Sequence, residues 1–510
     1  MKTAQALLRV PFQRSALEAC RSIRPHLVFV FGARDRIGDP ELLALVDDVL
    51  PGVPRLGCST AGEISSRGVH DDSVVVTALH VRGGGLHVAA TPFDGLADSH
   101  AAGARLGRLL LRPELHHIIV LGQGVHINGS ALIDGLASVV GPGVGISGGL
   151  AADDGRFERT LVLGPDGVSD RQVVAVAITN KRLVVGNGSY GGWTAFGPVR
   201  TVTRCDANTL HELDGEPALA IYRRYLGEYA RELPASGLLF PFAVVGSDAS
   251  AQGLVRTILG IDEAAGSLHL AGDVAQGAQL QLMHATTDAL VDGAHRAADL
   301  AATMVHRSPG LALLVSCVGR KLMMGARAEE EVEAVAHRLG PATAVAGFYS
   351  NGEIGPTDRP GPCRLHNQTM TVTCLYEAQG SKPARLRTAP SNARTASAQP
   401  LAPVGEACRS VLLNRQLARA FGEANGHDLR ALFEHLERGQ DVPALAAGMR
   451  RLVAQVDDAY QQYERDLHLR ARSIAVSSQE MLEFSERLRR TSDAAAAAEA
   501  ANRAKSQFLA

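Results

Sequence analysis

The sequence lacks any apolar run long enough to cross a membrane. Its longest apolar stretches, such as residues 173–178 and 311–315, are far shorter than the roughly 20 residues that a spanning helix needs. Residues 1–10 contain one lysine and no sustained apolar core of the kind found in signal peptides. These absences predict a soluble protein of the cytoplasm.

Paired cysteines are missing as well. The seven cysteines are odd in number and widely scattered, and no two form a C-x-x-C pair. This argues against a disulfide framework and against a structural zinc site, and it suits a reducing compartment. The absence of C-x-x-C-H also excludes covalent attachment of a c-type haem.

An excess of one charge is lacking too, because 51 basic residues nearly cancel 53 acidic residues and leave a net charge of −2. No whole-chain argument for binding nucleic acid follows from this balance. The composition is that of an ordinary globular protein, and 510 residues are too many for a single core. We therefore expect about three or four domains.

The most informative feature that is present is a repeated turn. Residues 57–64 read Gly-Cys-Ser-Thr-Ala-Gly-Glu-Ile, and residues 347–354 read Gly-Phe-Tyr-Ser-Asn-Gly-Glu-Ile. Each copy closes a strand, helix, strand pattern, and a weaker third copy closes a similar pattern at residues 145–153. The chain is therefore predicted to be internally duplicated, with an α/β (mixed α+β) fold built from repeated small α/β units.

The composition changes after Glu377. Residues 378–405 contain no acid and many Pro, Ala, Ser and Thr residues, which predicts a flexible linker. From Leu452 onward, apolar or small residues recur at alternating spacings of four and three, which is typical of a coiled coil and favours a parallel homodimer. The pattern is interrupted near Asp466 and Arg470. The predicted seam consists of Leu452, Val456, Ala459, Tyr463, Ile474, Ser477, Met481, Phe484 and Leu488.

Several motifs, in the usual order, resemble those of FIST proteins. The resemblance covers roughly residues 25–380. It implies an N-terminal sensory module at 25–218 and a C-terminal module at 219–380, which a linker at 381–404 and a helical connector at 405–510 would follow. FIST modules are regarded as intracellular sensory domains of signalling proteins. One branch contains haem, senses nitric oxide and regulates histidine kinases, and amino acids have been proposed as ligands of others. The motifs are residues 57–64, 148–151, 191–193, 238–242, 254–257 and 365–370.

The end of the chain carries a second resemblance. Residues 501–510 are similar to the opening of the phosphoacceptor helix of a sensor histidine kinase. The phosphorylated histidine would follow within a few residues, and the sequence also has no ATP-binding domain. No enzyme activity is therefore expected of the chain as given. The resemblance implies a histidine kinase core as the partner, in cis or in trans, within a two-component system.

The leading ligand-binding candidates are Glu63 and Glu353, because an acidic residue recurs at the same place in both copies of the turn. Each carboxylate could equally cap its own turn by accepting from backbone N–H groups. Hydroxyl groups in tight turns also often bond their own backbone rather than a ligand. The other candidates on the two turns are Ser59, Thr60, Ser350 and Asn351.

Two further candidates lie outside the turns. Arg256 stands within a strand-like apolar run, and a buried arginine needs a partner, either a ligand carboxylate or a structural acid. His366 begins a polar tripeptide before a strand, where it could fix the register, line a pocket or supply an axial nitrogen to haem. Non-covalent haem remains an alternative cofactor, and the sequence does not select its histidine from among His87, His117, His284 and His366.

An enzyme of another class is also considered. Residues 145–149 satisfy G-x-S-x-G, which would make Ser147 the nucleophile of a serine hydrolase. The residues that follow are a poor helix start, and no HGGG-type oxyanion segment precedes the motif. Cys58 is expected to be an inert core thiol. The favoured hypothesis is a sensor for an amino acid or a similar small polar molecule, with haem-based sensing as its rival.

Overall fold

A computed structural model describes residues 1–233, 235–245, 254–305, 309–356 and 363–378, together with part of the chain between residues 447 and 498. The chain divides into two compact units. One comprises Met1–Arg385 and Val476–Ala510, and the other comprises Leu386–Ala475. The predicted linker at 381–404 and the kinase-like end at 501–510 lie outside the described residues.

The first unit is built mainly from short strands. They are β1 Lys2–Leu8, β2 Leu27–Ala33, β3 Arg55–Thr60, β4 Glu63–Ser65, β5 Gly68–His70, β6 Val74–His80, β7 Leu86–Pro92, β8 His117–Gly122, β9 Gly145–Leu150, β10 Val162–Gly164, β11 Gly167–Ser169, β12 Gln172–Ile178, β13 Leu183–Tyr190, β14 Thr194–Asp206, β15 Thr209–Leu213, β16 Glu216–Pro217, β17 Phe242–Val245, β18 Val255–Arg256, β19 Ile258–Asp262, β20 Ser267–Leu270, β21 Gln279–His284, β22 Leu311–Cys317, β23 Ala344–Ser350, β24 Gly352–Pro356, β25 Cys363–His366 and β26 Met370–Glu377.

Helices connect many of these strands. They are α1 Arg14–Ser22, α2 Arg34–Ile37, α3 Pro40–Val49, α4 Ser99–Leu110, α5 Gly129–Val140, α6 Ala218–Leu226, α7 Thr287–Val305, α8 Val318–Met324 and α9 Glu329–Leu339. Short 3₁₀ segments lie at Leu96–Asp98, Gly227–Glu232, Ala235–Leu239 and Gly325–Arg327. None of the described helices is long and apolar enough to cross a membrane.

Three parallel strand pairs carry the repeat that the sequence predicts. They are β2 with β3, β8 with β9, and β22 with β23. The strand that follows each pair leaves it for another repeat: β4 pairs with β23, β24 pairs with β9, and β10 pairs with β3. The three repeats thus exchange strands in a closed cycle.

A glycine at the same place in each repeat makes this arrangement possible. Gly57, Gly148 and Gly347 each lie opposite a residue of the parallel partner strand. A Cβ atom at any of them would overlap the carbonyl oxygen of that partner residue. Glycine is therefore required by close backbone approach at three equivalent positions.

The core has a common centre and outer layers. The inward faces of three sheets share one apolar cluster, in which the rings of Phe31 and Phe348 stack 4.7 Å apart. Outside it, α1 and α3 cover the first sheet, α4 and α5 cover the second, and α7 and α9 cover the third. The amphipathic pattern of each helix explains this placement, because one apolar stripe faces a sheet.

A further antiparallel sheet contains β14, β15 and β17–β21. The strand-like run at residues 254–259 is split by Thr257 into β18 and β19. The fold class predicted from the sequence, mixed α/β with repeated units, is confirmed. The N-terminal and C-terminal halves are not separate layers, because β13 pairs along its length with β26.

Near the C-terminus, the described residues between 447 and 498 are helical. Of the predicted coiled-coil seam, Ile474 and Met481 fall among the described residues, and they are 67% and 70% exposed. The other seam residues, with Asp466 and Arg470, lie outside the described part of the chain.

Candidate functional site

The first turn follows β3, and its glutamate is fully enclosed. Glu63 Oε1 accepts a hydrogen bond from Thr60 Oγ1 at 2.5 Å, and Glu63 Oε2 accepts one from Ser73 Oγ at 2.6 Å. Burial raises the pKa of Glu63 to about 7, although the hydrogen bonds from Ser73 and Thr60 oppose this shift. Both oxygen atoms of this carboxyl group already have protein partners.

Ser59 is also occupied by the protein. Its hydroxyl donates to Ala152 O at 2.7 Å and accepts from Leu161 N at 2.9 Å. These contacts join the first turn to the strand exchange between repeats. The Thr60 hydroxyl is thus bonded within the turn, to Glu63, whereas the Ser59 hydroxyl bonds residues from another repeat.

The second turn, after β23, repeats this arrangement with other hydroxyls. Glu353 Oε1 accepts from Ser350 Oγ at 2.7 Å, and Glu353 Oε2 accepts from both N and Oγ1 of Thr369 at 3.0 Å. Burial raises the pKa of Glu353 to about 8. In the third copy the position equivalent to these glutamates holds Asp154, and the preceding residue, Asp153, accepts from the backbone N–H groups of residues 157–159.

The surroundings of the two glutamate turns differ. Beside the first turn lies a cavity of about 540 Å³, lined by Ala61, Asp71, Asp154 and Lys321 among others. The Lys321 ammonium group reaches the turn, donating to Ala61 O at 2.7 Å and to Asp71, and it lies over the Tyr349 ring. The polar groups that face this cavity from the turn and from Lys321 thus bond each other.

The second turn has buried amide groups whose oxygens lack partners. Asn351 Nδ2 donates to Gly124 O at 3.2 Å and Gln368 Nε2 donates to Leu238 O at 2.8 Å. Within the described residues, Asn351 Oδ1, Asn367 Oδ1 and Gln368 Oε1 accept no hydrogen bond. A buried oxygen without a donor costs about 1–3 kcal/mol, so three on adjoining segments require an explanation.

These amides lie at one end of a hairpin. The ladder between β24 and β25 ends with Glu353 opposite His366, so Asn351 and Gln368 follow at the same end of the two strands. Gln368 has a positive φ of 62°, which is uncommon for a residue other than glycine. Its carbonyl oxygen accepts from Trp193 Nε1 at 2.7 Å, and this bond helps to hold the peptide in place.

Arg256 adjoins this cluster. Its side chain is 5% exposed and donates to the carbonyl oxygens of Asp273 at 3.1 Å and, more weakly, of Val255 and Leu365. Burial lowers the pKa of Arg256 to about 10. Among the described residues, the guanidinium group forms no ion pair with a carboxylate, although a buried arginine ordinarily does.

His366 is buried next to the same hairpin. Its Nε2 atom donates to Gly355 O at 3.1 Å, and burial lowers its pKa to about 4, so the ring is neutral at physiological pH. With Nε2 used in this way, Nδ1 is the nitrogen that would be left for a metal. No group of three or more His, Cys, Asp or Glu side chains converges in the described part of the chain. Haem ligation by His366 stays a hypothesis.

Ser147 lies inside a strand rather than at a strand-to-helix elbow. It belongs to β9, is fully buried, and lies 2.9 Å from His117 Nε2. Burial lowers the pKa of His117 to about 3. The G-x-S-x-G nucleophile of an α/β-hydrolase has an exposed hydroxyl on a strand-to-helix turn, and Ser147 has neither feature.

The predicted site residues therefore fall into two groups. The structure brings Ser350, Asn351, Glu353, His366 and Arg256 together at the second turn, and it places Ser59, Thr60 and Glu63 at the first. Site residues that the sequence prediction omitted are Asn367 and Gln368. The sequence feature that could have indicated them is the polar tripeptide that they form with His366, directly before a strand. The lack of hydrogen-bond donors to their amide oxygens among the described residues can be seen only in the folded protein.

Comparison with known proteins agrees with the repeated architecture. The model of the FIST N domain matches residues 26–216, and the model of the FIST C domain matches residues 218–356. The chain belongs to the FIST family. FIST domains are sensory modules for small ligands in signalling proteins, and this chain carries both of them in tandem.

Solved structures and curated proteins add little to this assignment. A cyanuric acid hydrolase from A. caulinodans aligns over 74% of this chain and 99% of its own, with 8% identity and a TM-score of 0.31. A second cyanuric acid hydrolase structure aligns over 73% of this chain and 99% of its own, with 11% identity and a TM-score of 0.27. The comparison with curated proteins gave no match.

Proposed function

We propose that this FIST protein senses an amino acid or a closely similar small zwitterion, bound at the second turn. The observation that carries the proposal is a set of buried polar groups: the amide oxygens of Asn351, Asn367 and Gln368, which accept no hydrogen bond among the described residues, and the guanidinium group of Arg256, which donates there only to carbonyl oxygens. A guanidinium group binds a carboxylate through two parallel hydrogen bonds. Amide oxygens accept from an ammonium group, which has three donors.

The glutamates have a different part in this proposal. Glu63 and Glu353 each accept hydrogen bonds from a hydroxyl on either side, so they shape the turns and need not touch the ligand. Neutral amide oxygens are well suited to the ammonium group, because they satisfy its donors without burying a second full charge. An uncharged apolar molecule would leave the amide oxygens without donors and would give the guanidinium group of Arg256 no anionic partner.

We propose that the sensor regulates the histidine kinase core of a cytoplasmic two-component system, and that the signal passes through a helical homodimer. In the described part of the second unit, large apolar side chains that are 47–67% exposed recur every seven residues. A seven-residue repeat of apolar side chains is one part of the pattern by which two parallel helices pack together. These residues are Val453, Tyr460, Leu467 and Ile474.

The single tryptophan offers a direct test. Trp193 donates to the Gln368 carbonyl, so its fluorescence should change when a ligand reaches the amide oxygens. We expect one or a few of the common amino acids to shift the emission in a saturable way and to raise the melting temperature by mass action. If no amino acid changes either signal, the ligand assignment is wrong.

Substitutions then locate the site. We expect Asn351→Ala and Asn367→Ala each to weaken binding by about tenfold or more, because a bound ammonium donor would lose its acceptor. Asn180→Ala is the matched control, since Asn180 bonds Arg82 O and Gly84 O at the opposite end of the β8 and β12 strands. Equal binding by all three variants would remove the second turn from consideration.

A further inference from the structure

Among the described residues, the helical segment of the first unit that begins at Val476, here called the C-terminal helix, contacts the sensory part of that unit through the side chain of Glu480. Glu480 Oε2 accepts from Arg200 at 2.6 Å and from the Tyr225 hydroxyl, and Glu480 Oε1 accepts from Arg224 at 3.0 Å. The Glu480 side chain is 16% exposed and that of Arg200 is 13% exposed. Exposed ion pairs contribute little, but this carboxylate is largely enclosed and has three charged or polar donors.

The contact also fixes which face of the helix is presented to solvent. Met481 and Leu482 follow Glu480 directly, and they are 70% and 69% exposed. Because successive helical residues point about 100° apart, holding Glu480 turns Met481 away from the protein surface. The module thus binds one face of the helix while leaving the adjacent apolar face available.

Hydrogen bonds connect both elements that bind Glu480 with the surroundings of Gln368. Arg200 lies on β14, which begins directly after Trp193, and the Trp193 indole donates to the Gln368 carbonyl. Tyr225 lies on α6, whose Tyr222 hydroxyl donates to Phe240 O at 2.9 Å. Both strand and helix are therefore anchored near the segment whose Leu238 carbonyl accepts from Gln368 Nε2.

Aromatic packing makes this connection stiff. The Phe196 ring lies between those of Tyr225 and Phe240, with centroid distances of 6.3 and 6.2 Å. Gly197 follows with a positive φ of 69°, and a Cβ atom there would press against the Tyr225 ring. A shift of β14 near Gln368 would thus displace Tyr225 together with Arg200.

We propose that Arg200, Arg224 and Tyr225 form a latch for Glu480, through which occupancy of the amide site controls the orientation of the C-terminal helix. The regulatory half of this inference rests on the proposed function, whereas the latch itself does not. A ligand that engages Gln368 changes the position of β14 and α6. This movement changes how strongly Arg200, Arg224 and Tyr225 bind Glu480 of the helix. Differential contact of this kind is what a population shift requires.

Hydrogen exchange of the backbone amides in residues 476–490 tests the latch without any ligand. Glu480→Gln should accelerate exchange in this segment by about tenfold, because it replaces charge-assisted hydrogen bonds with weaker ones. Glu483→Gln is the matched control, since Glu483 accepts from Gln479 of its own helix. Equal exchange in the two variants would overturn the latch.

A second variant guards against misfolding as the cause. Tyr225→Phe removes the hydroxyl that donates to Glu480 and keeps the ring that packs on Phe196. It should accelerate exchange by a smaller factor, and combining it with Glu480→Gln should add little, because both remove the same interaction. Independent, multiplying effects of the two changes would contradict a shared contact.

The regulatory half is tested by Trp193→Phe, which deletes the donor to Gln368 and keeps an aromatic ring. We expect exchange in residues 476–490 to rise by about twofold to threefold, and to change again in the wild-type protein when an amino acid that shifts Trp193 fluorescence is added. No effect of Trp193→Phe would refute coupling. A latch confirmed by Glu480→Gln with no binding amino acid would refute the proposed function instead.

Discussion

The first and second turns share a hydroxyl, a glycine and a glutamate, but they differ in what faces them. At the first turn, Lys321 donates to Ala61 O and to Asp71, and the Thr60 hydroxyl donates to Glu63. At the second turn, three amide oxygens have no donor in the described part of the protein, where Arg256 donates to carbonyl oxygens and forms no ion pair. A repeated motif can therefore form the same turn in two places while the candidate ligand-binding groups are present at one of them.

The largest expected effect concerns the scaffold that both turns share. Gly57→Ala and Gly347→Ala each place a methyl group against the carbonyl oxygen of a partner strand, because the backbones are closest there. We expect each to lower the free energy of unfolding by more than about 3 kcal/mol, or to prevent folding. Urea unfolding of the purified proteins measures this.

The control for these variants is Gly143→Ala, because a Cβ atom at Gly143 meets nothing within 4 Å. It should change stability by less than about 0.5 kcal/mol. If Gly57→Ala is tolerated while Gly347→Ala is not, the close backbone approach is not equally important at the two turns, and they are not structurally equivalent.

A moderate effect should separate the two glutamates by pH. Their ordinary pKa is 4.5, and burial raises the folded-state pKa to about 7 for Glu63 and about 8 for Glu353. The folded state therefore holds these protons more tightly, so the stability they contribute is full below pH 4.5 and is lost as the pH rises to about 7 or 8. The predicted loss is a few kcal/mol for each group.

Glutamine at either position imitates the protonated acid and should flatten the decline in stability. We expect Glu353→Gln to flatten it more than Glu63→Gln and up to a higher pH, as measured by unfolding between about pH 5 and pH 8. Exposed Glu41 provides the control, since Glu41→Gln makes the same chemical change at the protein surface. Identical slopes in all four proteins would mean that the carboxyl groups titrate normally.

The smallest effect concerns the lysine that distinguishes the first turn. Lys321→Met keeps the length of the side chain and removes its bonds to Ala61 O and Asp71, which should cost about 1 kcal/mol of stability because the group is partly exposed. Amino-acid binding, followed by Trp193 fluorescence, should be unchanged. A variant that loses this binding would show that the ligand lies at the first turn.

Much of the scaffold could be predicted from the sequence. The residue pattern at 331–339 predicts a helix, and one is observed at Glu329–Leu339. The pattern at 288–305 predicts a longer helix, and one is observed at Thr287–Val305. Apolar periodicity is a local property of the chain, so it survives folding almost unchanged. The three turns could likewise be identified from their repeated residue pattern, which includes the glycines.

Which of the two turns carries buried amide oxygens without donors could not be predicted from local patterns. Glu63 and Glu353 are equivalent in the sequence, and their neighbours Thr60 and Ser350 are chemically alike. Ser73 and Thr369, which complete the hydrogen bonds, lie 10 and 16 residues further along the chain. No local pattern marks them, because they reach the carboxylates through strands that pair elsewhere.

The sequence by itself determined the repeated turn and the strand and helix periods, because these depend on local backbone and side-chain chemistry. Tertiary structure alone decided which polar atoms found partners. Lys321 comes to Ala61 across 260 residues, and Arg256 comes to Leu365 across 109. Whether a buried oxygen is satisfied depends on such distant segments, so the candidate binding groups became distinguishable only in the folded protein.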